Sequence, residues 1–436
     1  PKNPKAVILP TWANKAIGRL KVPKSLVNPI VYNLKNGIKL IVQPESISNT
    51  VSISGSIKHN SLLQTPKGMQ GVSSVLNRLF SYGTTTLNRI AFQKALDDIG
   101  ANENAGTNFS LQVLTKDFKR GVQLLSDNLL HPALPNNAFR IVRMQTARTV
   151  AGELKSPDYL TSRALTKALV PKNDPALRRA TPKSVNSLSL KDVKGFYKHV
   201  FRPDLTTIVV IGNIKPANAK TEIEKYFGAW QAKGPKPNTE FSPIPLNKPS
   251  TTLVPNRSRV QDKVILAENL KITRSNPDYY ALQLGNHVLG GAFYATRLYK
   301  DLRENRGLVY YVSSSFNIGK HRSTYEVNYA CDPPNVSKAR AIVVRDLKQM
   351  QNSKVTNNEL KQAKAMILRD IQLSESSIGS IAGGLLSRSL LGLPLNEPTI
   401  AAARYIKLNA KQIQKAYSKW LHPDNFVQVT QGPNPK

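Results

Sequence analysis

Histidine is the first side chain to examine for chemistry, because imidazole ligates metals and moves protons near neutral pH. The chain has six: His59, His131, His199, His287, His321 and His422. No two are spaced as a helical metal pair, and neither H-E-x-x-H nor its inversion H-x-x-E-H occurs. His199 and His422 stand near helix ends, beside Arg202-Pro203 and Pro423, where an imidazole interacts well with the helix dipole and needs no function. The single cysteine, Cys331, excludes an internal disulfide and a Cys-based metal site. It reads as a small buried or half-buried residue and not as a nucleophile. No Ser–His–Asp order, G-x-S-x-G elbow or G-x-x-x-x-G-K-[ST] phosphate loop is present. Read directly, the residues offer nothing that activates water, and no metal is expected in this chain.

Composition narrows the classes further. The 436 residues suffice for two or three domains, with 40% hydrophobic and 20% charged residues, as in a globular protein. No run approaches the roughly 18 apolar residues of a membrane helix. Lys and Arg number 62 against 27 Asp and Glu, a net charge of +35. That excess invites a nucleic-acid reading, but the basic residues are scattered, and their densest patches, Lys2–Lys5, Lys15–Lys24 and Lys233–Lys236, fall at an end and in a linker. No basic helix, aromatic-spaced RNA-binding stretch or zinc finger accompanies them. The expectation is a solvated basic surface that favours acidic partners or an anionic envelope surface, with no nucleic acid. Pro1 in place of Met is compatible with a removed leader or with a segment of a longer chain.

The elements that must position any site repeat themselves. Residues 188–212 and 408–432 align without a gap, Pro203-Asp204 recurring as Pro423-Asp424 at an offset of 220. Upstream, Asn136-Asn137 is echoed by Asn357-Asn358 at an offset of 221. Two domains of one fold follow. The repeated unit is an amphipathic helix with Val193, Phe196, Tyr197 and Val200 on one face, a Pro-Asp turn, and a strand from Leu205 to Ile211 that is apolar enough to be buried on both faces. The first domain opens with a strand pair, Ile38–Val42 after the Asn36-Gly37 turn and Val51–Ile57, followed by helices at about 69–80 and 89–99. A strand at Leu111–Leu114 comes next, then a long helix from Phe118 and another capped by Asn136 or Asn137. The irregular alternation indicates α+β, with mixed, mostly antiparallel sheets covered by helices. The expected division is a leading arm at 1–28, a domain at 29–232, a six-proline linker at 233–258 and a second domain at 259–436.

Two stretches resemble the pitrilysin/insulinase family of zinc peptidases, the inverzincins. The family includes mitochondrial processing peptidase and the core proteins of the respiratory cytochrome bc complex. Gly68 to Leu76, followed by Leu79-Phe80 and Gly83-Thr84, is similar to the helix that carries H-x-x-E-H in active members. Laid on that pattern, the zinc-motif positions fall on Gly71, Ser74 and Val75, and the third ligand on Glu153. The interval to Gly83-Thr84 is longer than in active members. The second half keeps more: Leu289-Gly290-Gly291 and Leu302-Arg303 through Tyr310 resemble the signature whose Arg and Tyr, seven residues apart, hold substrate. That pair is Arg303 and Tyr310 here. A guanidinium presents a planar fork to a peptide carbonyl, and a phenol adds a donor at a developing oxyanion.

The resemblance implies a clamshell half without its metal. The expected function is a non-catalytic half or subunit of a zinc endopeptidase, inactive alone. A zinc-bearing partner subunit, or a preceding half of the same chain, would supply the ion, and an extended or unfolded peptide would be the substrate. A purely structural core-type subunit of a larger complex is the alternative. A bacterial periplasm or envelope is the expected location, with the mitochondrion as alternative.

Overall fold

The computed structural model describes residues 20–292 and 295–435, so most of the leading arm lies outside the described residues. The first sheet contains β1 (Ile30–Asn33), β2 (Lys39–Pro44), β3 (Thr50–Ile57), β4 (Asn102–Asn104), β5 (Asn108–Leu114) and β6 (Thr206–Gly212), in the order β1-β2-β6-β3-β5-β4. The second contains β7 (Ser250–Pro255), β8 (Asp262–Leu270), β9 (Tyr311–Ile318), β10 (Ser323–Cys331) and β11 (Val427–Gly432), in the order β7-β11-β8-β10-β9. Only β2/β6 and β7/β11 are parallel; the other pairs are antiparallel. From β2 onward the two orders correspond strand for strand. The repeat in the sequence is therefore a repeat of sheet topology, and the α+β reading holds.

The repeated unit folds as its pattern requires. Helix Leu190–Val200 begins at a Ser189/Asp192 capping box, and helix Ala410–Trp420 at an Asn409/Gln412 box; each satisfies two otherwise free backbone donors. Pro203 and Pro423 each open a 3-10 turn, and every residue of β6 and β11 is buried.

Several expectations need correction. β2 and β3 are not neighbours, because β6, distant in sequence, lies between them; the hairpin across Asn36-Gly37 joins β1 to β2 instead. Gly37 makes that turn at φ +96, where a side chain would strain the backbone. Asn136 does not cap helix Asn136–Glu153; Pro135 occupies the cap, without a side-chain bond. Its counterpart, helix Asn357–Leu373, is capped by Thr356 in a box with Glu359. The end of the proline-rich linker, Ser250–Pro255, is strand β7, so pairing with β11 recruited a segment that carries no strand pattern of its own.

The central strands are buried on both faces because each half covers the other. Val209, Ile211 and Ile41 pack against Ala382 and Leu385 of helix Ile378–Leu391, which comes from the second half. Ala267 and Val427 of the second sheet pack against Leu169 of helix Pro157–Leu169, which comes from the first. Pro157 and Ile378 are 221 residues apart, the offset of the repeat. Arg322 holds Asp174 through two bonds of 2.9 and 2.7 Å across the same boundary. Arg202, only 3% exposed, grips Asp204 bidentately and donates to the carbonyls of Lys233, Gly234 and Pro235 at 2.6, 3.2 and 3.1 Å. Among the described residues no helix is long and apolar enough to cross a membrane.

Leu385→Ala removes a fully buried side chain from the exchanged contact and should cost about 2–5 kcal/mol of unfolding free energy. Denaturant titration checks this; a cost under about 1 kcal/mol would show that the helix does not hold the sheet.

Candidate functional site

Helix Val72–Leu79 buries one stripe, Val72, Val75, Leu76 and Leu79, each at 0% exposure. Its exposed side chains are Ser74, Asn77 and Arg78. Gly71 is the N-cap at φ +103, and a Cβ there would come within 2.6 Å of Val185 Cγ2. Gly71 and Val75 are thus off the open face, which corrects the register assigned to them. Ser74, Asn77 and Arg78 stand at i, i+3 and i+4, the spacing of H-x-x-E-H, and this register shortens the interval to Gly83-Thr84 by three residues. A hydroxyl, an amide and a guanidinium are a donor set that does not fit zinc, since a guanidinium stays protonated and has no lone pair to give. Among the described residues no group of three or more His, Cys, Asp and Glu converges on one point. Arg78 Nη1 reaches Thr146 Oγ1 at 3.4 Å on helix Asn136–Glu153; Glu153, the expected third ligand, is that helix's exposed last residue.

Beside this face opens a cleft of about 730 Å³, lined among others by Asn77, Arg78, Tyr82, Arg89, Glu103 and Asn128. Glu103 lies on β4, an edge strand that among the described residues pairs only with β5. Asn128 Nδ2 donates to both Glu103 carboxyl oxygens at 3.2 and 3.3 Å. Burial outweighs that bond and pushes the Glu103 carboxyl up to about 7.

The matching edge of the second sheet is β9, and Arg303 and Tyr310 lie at its start. Arg303 sits in a π-helical turn, Lys300–Glu304, anchored by the fully buried Leu302. Gly307 at φ +58 reverses the chain, and Tyr310 N–H donates to Ala330 O at 2.8 Å. The Arg303 guanidinium donates to the Tyr310 carbonyl and lies 5.5 Å from the centre of the Tyr299 ring. The two residues do meet, through the main chain of Tyr310 and not through its hydroxyl. The Tyr310 side chain is 52% exposed. Gly290 and Gly291 permit tight packing: a Cβ would fall 2.6 Å from Ser314 Oγ at Gly290 and 2.2 Å from Asn286 Nδ2 at Gly291.

The other candidates are structural. Cys331 is fully buried opposite Asp262, and burial pushes its thiol up to about 12. His422 donates its backbone N–H to the buried Glu268 carboxylate at 3.1 and 2.9 Å. Sequence reasoning missed Asn77, Arg78, Arg89 and Glu103. The first two were readable, because the apolar spacing 72, 75, 76, 79 already turns 74, 77 and 78 outward.

The Glu103 carboxyl lies above its ordinary value of 4.5, so the folded state holds its proton more tightly than the unfolded one. Its contribution to stability is complete below about pH 4.5 and lost as pH rises through about 7. Glu103→Gln should therefore gain on the wild type between pH 5 and pH 9, by at most about 3 kcal/mol, in thermal melts. A pH-independent difference would contradict the assignment.

Residues 45–182 match the family model for insulinase, peptidase family M16, and residues 187–367 match that of the peptidase M16 inactive domain. An uncharacterized zinc protease, YmxG of Bacillus subtilis, is 23% identical over 358 residues, covering 80% of this chain and 85% of its own. The crystal structure of a peptidase M16 inactive domain from Pseudomonas fluorescens superposes with a TM-score of 0.81 at 23% identity, over 94% of this chain and 99% of that one. The periplasmic protease PqqL from Escherichia coli gives 0.78 at 15% identity, over 95% of this chain and 47% of PqqL. With the two repeated sheets and the motif-spaced helix face, these matches identify the chain as a peptidase-like member of the insulinase family, M16, whose residues 187–367 are of the family's inactive-domain type.

Proposed function

We propose that this chain is the non-catalytic half of a zinc endopeptidase. It walls a peptide chamber opposite a zinc-bearing M16 half and holds an extended or unfolded peptide with Arg303 and Tyr310. The observation that carries the reading is the geometry at β9. A guanidinium is fixed by a main-chain carbonyl and an aromatic ring beside a sheet edge, with an exposed phenol next to it. An extended peptide can add to such an edge through backbone bonds while the Arg and Tyr meet its carbonyls. The side chains on the motif-spaced face do not fit zinc, so the ion is assigned to the partner half. PqqL supports the pairing, because this chain matches 47% of it, as one of two such units would. A periplasmic or envelope setting is proposed on the same likeness, with the +35 surface meeting anionic lipid.

The test is cleavage of an unfolded peptide by the chain together with the zinc-bearing M16 protein that co-purifies with it. The chain alone should carry no stoichiometric zinc and no activity. In the complex Arg303→Ala should lower kcat/KM about 100-fold and Tyr310→Phe less. Undiminished cleavage by the Arg303→Ala complex, or stoichiometric zinc in the isolated chain, would overturn the reading. Co-purification with a non-peptidase assembly would place the chain among structural subunits.

A further inference from the structure

The cleft beside β4 is lined by two guanidinium groups, Arg78 and Arg89. Among the described residues, no carboxylate lies within ion-pair distance of Arg78 or Arg89. Arg78 makes a single long hydrogen bond, 3.4 Å to Thr146, and the Arg89 guanidinium lies 5.1 Å from the centre of the Tyr82 ring. The nearby acids bond to other groups. Asp98 holds Lys94 at 2.8 Å, and Asp97 accepts from Gln93 at 2.9 Å. Glu103, the acid on the edge strand, is bound by Asn128, and its burial disfavours the charged form. Arg78, Arg89 and the amide-bearing Asn77 therefore line one cleft together with Glu103 and Asn104 of an open strand edge.

From this juxtaposition we infer that the first-half cleft is a carboxylate-recognition site, where Arg78 and Arg89 select extended peptides that carry a carboxylate. A guanidinium pairs with a carboxylate through two parallel N–H bonds, which fixes orientation as well as adding attraction. The Tyr82 ring positions the Arg89 fork, so less freedom is lost on binding. The carboxylate comes from an Asp or Glu side chain or from a peptide C-terminus. The inference rests on the proposed function only in supposing that this chain takes extended peptide.

The experiment is fluorescence anisotropy of the full chain with labelled, unstructured peptides of one neutral frame. One peptide carries Glu, one Gln at the same place and one Lys, each as free acid and as C-terminal amide. A Glu peptide bound about tenfold or more tightly than its Gln counterpart assigns the side-chain source. A free acid bound that much more tightly than its amide assigns the terminus. In either case Arg78→Gln and Arg89→Gln should each abolish most of the preference, and Arg78→Lys should retain part of it. Higher salt should weaken it. Equal affinity for all peptides, tighter binding of the Lys peptide, or no binding by the folded chain would overturn the inference. If Arg303→Ala abolishes binding and Arg78→Gln does not, the proposed function stands and this inference falls. Circular dichroism of each variant separates loss of binding from loss of fold.

Discussion

Each sheet has a central strand apolar on both faces, and a half of this chain can cover only one of them. β6 shows the constraint: Ile208 and Val210 face the core of the first half, while Val209 and Ile211 point the other way. The second face is closed by a helix lent from the other half, and the loan is mutual. Burying Val and Ile stabilises by about 1.5–3 kcal/mol per side chain, so neither sheet could leave that face in water without a large loss. The two-fold exchange of helices follows from this one requirement.

With the central strands committed to packing, what remains for function is the periphery. β4 and β9 are corresponding edges, and each has polar or aromatic chemistry beside it. The first half places its motif-spaced helix face there, with cations instead of metal ligands. The second half places an arginine locked by its own main chain. The same topology thus presents two strand edges with different side-chain equipment.

Much of this was legible from residues. The capped helix, Pro-Asp turn and continuous β-branched strand announce themselves locally, and their recurrence 220 residues later gives the duplication. What was not legible depends on distant partners. β7 has a linker's composition and becomes a strand only because β11 offers it a ladder. β6 inserts between β2 and β3 from a distant part of the chain, which no hairpin rule anticipates. The zinc-motif register failed for a different reason. The family pattern was anchored on the glycine-rich start of the helix, whereas Val72, Val75, Leu76 and Leu79 fix which side faces inward. Arg303 and Tyr310 were found together, but the bond between them uses a carbonyl that sequence does not reveal as special.

Arg202 gives the proline-rich connection an unexpected mechanical character. A surface tether would let the halves swing on thermal motion alone, yet here a buried guanidinium clasps three successive carbonyls of the segment while pinned by Asp204. The connection is a strut, and its slack has been removed at the point where it leaves the first half. With helices exchanged on either side of it, the two halves are tied together at the connection and through both sheets.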